Sequence, residues 1–146
     1  MEKVRSFRDL DVWNFAMDLA LAAHKLADKL PPNHRFELAS QMRRAATSIP
    51  SNVAEGQAYR SDRVFIRHVR IALGSLAELD TQIEIAVRLN YVGRDVELVL
   101  RADIDRTRQL LHGLHRTLKA SLRRAALNVF ALAAAGSGLL WLFIPA

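Results

Sequence analysis

The stretch Arg43-Arg44-Ala45-Ala46-Thr47-Ser48-Ile49-Pro50-Ser51-Asn52-Val53-Ala54-Glu55-Gly56 decides the fold of this 146-residue chain. Leu38, Met42, Ala45, Ile49 and Val53 recur through it at helical spacing, so it reads as one amphipathic helix. Pro50 has no N–H for the carbonyl of Ala46, and its ring crowds that carbonyl, so a helix through this point must kink or stop. Ser48, Ser51 and Asn52 can offer side-chain hydrogen bonds to the disturbed backbone. The apolar phase is the same on both sides of Pro50, which favours one kinked helix, starting near Asn33 just after Pro31-Pro32.

Working outward, the chain before the prolines reads as a helix from about Asp9 to Leu30 with two adjacent apolar stripes. One stripe is Val12, Ala16, Leu19, Ala23, Leu26 and Leu30; the other is Leu10, Trp13, Met17, Ala20, His24 and Ala27. A face that wide predicts more than one neighbour. Beyond Gly56 a third helix starts near Ser61, and its seam of Phe65, Val69, Ala72, Leu76, Leu79, Ile83 and Ala86 alternates steps of four and three, as in bundle packing. Beside it runs a mixed row, Val64, His68, Ile71, Ser75, Glu78, Gln82, Ile85 and Leu89, of the polarity expected at a subunit interface. Ile71, Gln82 and Ile85 are the candidate interface residues. Gly93 is the expected left-handed cap. A fourth helix then turns Leu100, Ile104, Thr107, Leu111, Leu114, Leu118 and Leu122 inward. The expected fold is all-α: an antiparallel up-down four-helix bundle over residues 1–124 with a kinked second helix, plus an apolar helical tail over 125–146.

The composition narrows the chemistry. With no cysteine the chain has no disulfide, thiolate metal site or cysteine nucleophile, and a reducing cytoplasm fits. Residues 1–10 are mostly polar and show no signal peptide. A formal charge of +6 favours polyanionic partners or acidic membrane surfaces. No glutamate has a histidine three residues later, so the inward Glu-x-x-His pairs of a di-metal bundle are missing. His112 and His115 read as a solvated pair, and no phosphate loop or nucleophile elbow is present. Glu55 and Glu78 read as partners of Arg43, Arg44 or backbone donors. The expectation is therefore a non-enzyme with no metal and no cofactor.

Phe7, Leu10 and Trp13, then Phe36-Glu37-Leu38, Gln41 and Arg43 to Gly56, then Phe65, Ala72, Gly74-Ser75-Leu76 and Glu78-Leu79 resemble the four-helix bundle proteins encoded in intervening sequences of bacterial large-subunit ribosomal RNA. The resemblance covers about Phe7 to Lys119. It implies an antiparallel bundle that assembles as a ring, commonly a pentamer, with Arg43, Arg44, Ser48, Pro50, Ser51, Asn52, Glu55, Gly56, Gly74, Ser75 and Glu78 as the motif residues. The accessory variability protein of diversity-generating retroelements, which binds a reverse transcriptase and is thought to engage nucleic acid, is a relative of that family. The family's usual Ser-x-Lys-Glu-Phe is Ser61-Asp62-Arg63-Val64-Phe65 here, without the capping-box carboxylate.

Rows of basic residues suggest the partner. Arg60, Arg63, Arg67 and Arg70 precede or line one face of the third helix, and Arg101, Arg108, Lys119 and Arg123 lie on the fourth. Repeated around a ring, these rows would form a positive belt for RNA or DNA backbones. A protein partner, or a protein-only scaffold with charge serving solubility, is the competing reading. Gly74-Ser75 is expected to let a neighbouring helix come close. The uncharged tail 125–146, preceded by Lys119, Arg123 and Arg124, is a candidate membrane anchor; the competing readings are an extension of the fourth helix that packs along the bundle or plugs a ring's lumen, and an incidental tail with no role. As an anchor it would hold the bundle at the inner face of the membrane with Trp141 near the far interface.

Overall fold

Ser6 and Asp9 form a reciprocal capping box: the Ser6 side chain accepts from the Arg8 N–H, and the Ser6 N–H donates to Asp9 Oδ2 at 2.8 Å. The box closes a 3-10 turn, Phe7–Asp9, so the first long helix, α1, spans Asp11–Lys29 and starts later than Asp9. Leu30 sits extended at φ −65° and ψ 147°, as the residue before a proline prefers. The computed structural model describes residues 6–32 and 37–139, with side chains placed to residue 131 and at Ala133, and the expectations on Asn33 and Trp141 fall outside them. α2 spans Leu38–Ala58, α3 Asp62–Arg88 and α4 Arg94–Leu139.

The side-chain contacts give the register directly. Arg43 meets Asp28 and His24 meets Thr47 across α1 and α2; Asn52 meets His68 and Ser48 meets Ser75 across α2 and α3. Asp80 meets Arg108 and Glu84 meets Arg101 across α3 and α4, while Arg106 lies over the Phe15 ring across α1 and α4. In the first three helix pairs one number rises as the other falls, so consecutive helices run antiparallel, and α4, which closes back on α1, is therefore antiparallel to it as well. The core is the expected set: the first α1 stripe, Met42, Ala45, Ile49 and Val53 of α2, the whole α3 seam, and Leu100, Ile104, Thr107, Leu111 and Leu118 of α4 are buried.

α2 passes through Pro50 as a single helix, with the ring buried. The Ser51 hydroxyl donates to the Thr47 carbonyl at 2.9 Å, and Asn52 Nδ2 donates to the Ser48 carbonyl at 2.9 Å. These are the side-chain bonds expected around a proline that breaks the backbone ladder.

Three local expectations are corrected. Asn90, at φ 58°, takes the left-handed position after α3, and no described glycine has positive φ. The Asn90 N–H donates to the Val87 carbonyl and the Tyr91 N–H to the Ala86 carbonyl, both at 2.9 Å. This is a Schellman closure in which asparagine, the side chain best tolerated there after glycine, replaces Gly93. Leu122 is exposed, because the bundle's last buried layer is Leu118 and α4 continues past it. The glycine at the close helix contact is Gly56, not Gly74. A Cβ at Gly56 would strike the Phe65 ring and lie 2.9 Å from His68 Cβ, whereas the space above Gly74 is open.

Gly56→Ala is expected to destabilise the chain by about 1–3 kcal/mol, the usual cost of overpacking a tight contact. Within one subunit, where a Cβ at Gly74 meets open space, Gly74→Ala is expected to stabilise the fold by about 0.5–1 kcal/mol. Urea unfolding monitored by circular dichroism separates the two; equal effects would contradict the packing described.

Candidate nucleic-acid interface

The face between α3 and α4 divides electrostatically along its length. Toward the α3 C-terminus, Arg101 reaches Glu84 and also Glu97 at 2.9 Å, Arg108 reaches Asp105 and also Asp80 at 2.7 Å, Arg88 meets Glu84 at 2.6 Å, and Arg94 meets Glu97 at 3.1 Å. Glu97 is nearly buried at 8% exposure, and a carboxylate so placed persists only with hydrogen-bonding cations around it. Hydrogen bonds from Arg101 and then Arg88 hold the Glu84 carboxyl below the usual range, and those from Arg101 and then Arg94 do the same for Glu97 against its desolvation. The expected nucleic-acid contacts Arg101 and Arg108 are therefore already neutralised within the chain. Sequence reasoning saw their row but missed Asp80 and Glu84 facing it from α3.

At the other end of the same face the balance reverses. Arg63, Arg67 and Arg70 are exposed on the first half of α3, and Arg116, Lys119, Arg123 and Arg124 are exposed on α4. None of the seven forms an ion pair among the described residues. Desolvation, together with the charges of Lys119, Arg70 and His112, holds the His115 imidazole below its usual pKa, so Arg70 of α3 and Lys119 of α4 both act on the same ring. Arg60 stands at the entry to α3 with φ 50°, a left-handed position unusual for its residue type. Arg116 and Arg124 were not among the expected contacts, although their spacing with Lys119 and Arg123 was visible in the sequence. No acidic residue follows Asp105 anywhere in the chain.

The motif residues gather in and beside the α2–α3 seam. The Ser75 hydroxyl donates to Ser48 Oγ at 2.8 Å, and Asn52 Nδ2 donates to the same oxygen at 3.1 Å. With Asn52 Nδ2 so engaged, its Oδ1 faces His68 Nδ1 at 3.0 Å and requires the proton on that nitrogen. Glu55 lies 3.6 Å from the same nitrogen, and Tyr59 stacks on the imidazole at 5.7 Å. Arg43 pairs with Asp28 at 2.6 Å rather than with Glu55 or Glu78. Arg44 and Glu78 instead line a shallow groove of about 480 Å³ with Gln41, Ser48 and Ser75. Arg44 and Glu55 are eleven positions apart on α2, about 16 Å of helix, so Glu78 in that groove is far from Glu55. The two carboxylates do not converge on one point, and the geometry offers no acid–base pair. Among the described residues no cluster of metal-ligating side chains occurs.

The sequence model of the 23S rRNA-intervening sequence protein family matches residues 8–113, most of the bundle. The chain belongs to that family. A crystal structure of an S23 ribosomal protein family member from Bacteroides thetaiotaomicron is similar with a TM-score of 0.67 and 24% sequence identity, over 72% of this chain and 95% of that one. That likeness supports the fold. No curated protein is significantly similar to the chain. The family match ends before Arg116, so part of the basic end and all of the apolar extension lie outside it.

The ion-pair network sets a pH dependence. Glu84 and Glu97 are more acidic folded than their ordinary value of 4.5, so their stabilisation is fully present above that value and is lost as pH falls through the lowered one. Arg101→Gln is expected to lower the melting temperature at pH 7 and to make progressively less difference as pH falls below 4.5 and the two carboxyls take up protons. Thermal melts of both proteins across that range test it; a pH-independent difference would remove the network's role.

Proposed function

We propose that this protein is a non-enzymatic, ring-forming bundle that holds nucleic-acid backbone at its basic end, within a ribonucleoprotein-type assembly that can include a protein partner. The observation that carries this reading is the division of the α3–α4 face. Arginines at one end are consumed by carboxylates, while Arg63, Arg67, Arg70, Arg116, Lys119 and Arg123 are exposed and unpaired among the described residues. Charges arranged for internal stability find partners, as Arg101 and Arg108 do. Charges held together without partners raise the local potential and attract phosphates while releasing their counterions. These cations stand on exposed helix faces, which suits binding to the backbone that is tolerant of sequence.

Assembly is supported by a second row on α3. Ile71, Gly74, Glu78, Thr81 and Ile85 alternate steps of three and four, the spacing of a packing seam. Ile71 and Ile85 are 42% and 44% exposed, and Gly74 leaves room for a side chain from outside. Gln82 is buried, yet its Oε1 has no hydrogen-bond partner within the described chain, and it lines a groove with Gln41, Gly74, Ala77, Glu78 and Thr81. Ring closure would repeat the basic end around the particle and multiply its hold on one polymer.

Replacing Arg63, Arg67 and Arg70 together by Gln is expected to weaken RNA and DNA binding equally across sequences. The slope of log affinity against log salt should fall by about 0.9 for each duplex phosphate that the variant no longer neutralises. Fluorescence anisotropy at several salt concentrations measures both, and wild-type protein that binds neither polymer at low salt would leave the protein-only scaffold reading. Separately, Ile71→Asp with Ile85→Asp is expected to yield smaller particles of unchanged helicity in sedimentation velocity. A monomeric wild type at micromolar concentration would refute ring assembly.

A further inference from the structure

Past Leu118, α4 leaves the bundle and continues to Leu139, a projection of about 30 Å. Every described side chain from Lys119 to Ala131 is exposed. The projection has two parts. Its base carries Arg116, Lys119, Arg123 and Arg124, and from Ala125 onward the sequence to residue 146 has no charged residue at all. Leu127, Val129 and Phe130 are 68%, 67% and 78% exposed. At about 100° per residue Leu127 and Phe130 share one side of the helix, Val129 and Ala133 lie on another, and Asn128 is the one strongly polar residue among them.

That distribution separates the available occupants. A second copy packing as a coiled coil would need one apolar stripe with polar flanks, and this segment has neither. A polyanion would follow the base and leave the uncharged part uncovered. An apolar surface on all sides, set directly above a cationic collar on a stretch of α4 that carries no carboxylate of its own, fits the border between the headgroups and hydrocarbon of an anionic bilayer. Among the described residues no helix is long and apolar enough to cross a membrane, so contact rather than spanning is what these residues support.

We propose that the projecting end of α4 is a membrane-contact element: the uncharged turns from Ala125 enter an anionic lipid bilayer end-on, and Arg116, Lys119, Arg123 and Arg124 engage lipid phosphates at its surface. Entry is end-on because the segment has no polar face to keep in water. The collar gives preference for anionic over zwitterionic lipid, since each basic residue near such a surface contributes favourably and is screened by salt. Arg63, Arg67 and Arg70 lie on α3 and not on the projection itself, so lipid contact and nucleic-acid binding can be probed by separate substitutions.

The test is flotation of the full chain with vesicles of phosphatidylcholine alone and of phosphatidylcholine with phosphatidylglycerol. Wild type is expected to float with the anionic vesicles and far less with the neutral ones. Leu127→Glu with Phe130→Glu is expected to weaken that association by at least about a hundredfold, given the cost of carrying carboxylates into hydrocarbon, while circular dichroism stays unchanged. Replacing Arg116, Lys119, Arg123 and Arg124 by Gln should abolish the anionic preference and the salt sensitivity of floating. Arg63, Arg67 and Arg70 to Gln should reduce RNA binding and leave flotation as it is, so the two readings fail independently. Wild type that floats with neither vesicle overturns the proposal. So does a Leu127, Phe130 double variant that floats like wild type, or one whose only change is a smaller particle mass.

Discussion

The contact between α2 and α3 at Gly56 is the constraint on which the remaining geometry depends. Without a side chain at that position the Phe65 ring and His68 Cβ close against the α2 backbone, and the two helices stay near enough for Asn52 to reach His68 and Ser48 to reach Ser75. Those bonds consume the polar atoms that a dry seam would otherwise leave costly and unpaired. Pro50 and its hydroxyl and amide neighbours belong to the same arrangement, since Asn52 serves both the Ser48 carbonyl and the Ser48 hydroxyl. The stretch that looks most like a functional signature is thus largely occupied in holding two helices at a fixed separation and register.

Once that register is set, α3 presents two kinds of charge to α4. Its C-terminal half brings Asp80 and Glu84 opposite Arg101 and Arg108, and its N-terminal half brings Arg70 toward His115 and Lys119. The antiparallel arrangement therefore separates like charges from paired ones without any further device. A shift of one helical turn between α3 and α4 would undo the separation, which ties the electrostatics of the surface to the packing of the core.

Most of the fold was legible because burial follows the 3.6-residue period. The inner residues of α1, α2 and α3 were each readable from spacing alone, and α4 was readable as far as Leu118. Where the reading failed, the deciding information was not periodic. Asn90 and Gly93 are both plausible caps, and only the hydrogen bonds of the Asn90 and Tyr91 N–H groups show which residue turns left-handed. Gly56 and Gly74 are alike in sequence, but one meets a ring and the other meets open space. Leu122 continues the inward phase of α4 after α1 has ended, so phase without length misplaced it. The basic rows were visible, but pairing across helices is a three-dimensional property. For that reason Arg101 and Arg108 could not be told from Arg63 and Arg67 beforehand.

The unbroken passage of α4 from the core to Leu139 has a mechanical consequence. A flexible linker would let the bundle sample a volume that grows with chain length, whereas a helix advances about 1.5 Å per residue and transmits both tilt and rotation. Each residue added or removed between Leu118 and Ala125 would turn the tip by about 100° relative to the core. The tip and the core thus share one rigid frame, and anything that grips the far end also fixes which way the arginine-bearing side of α3 faces.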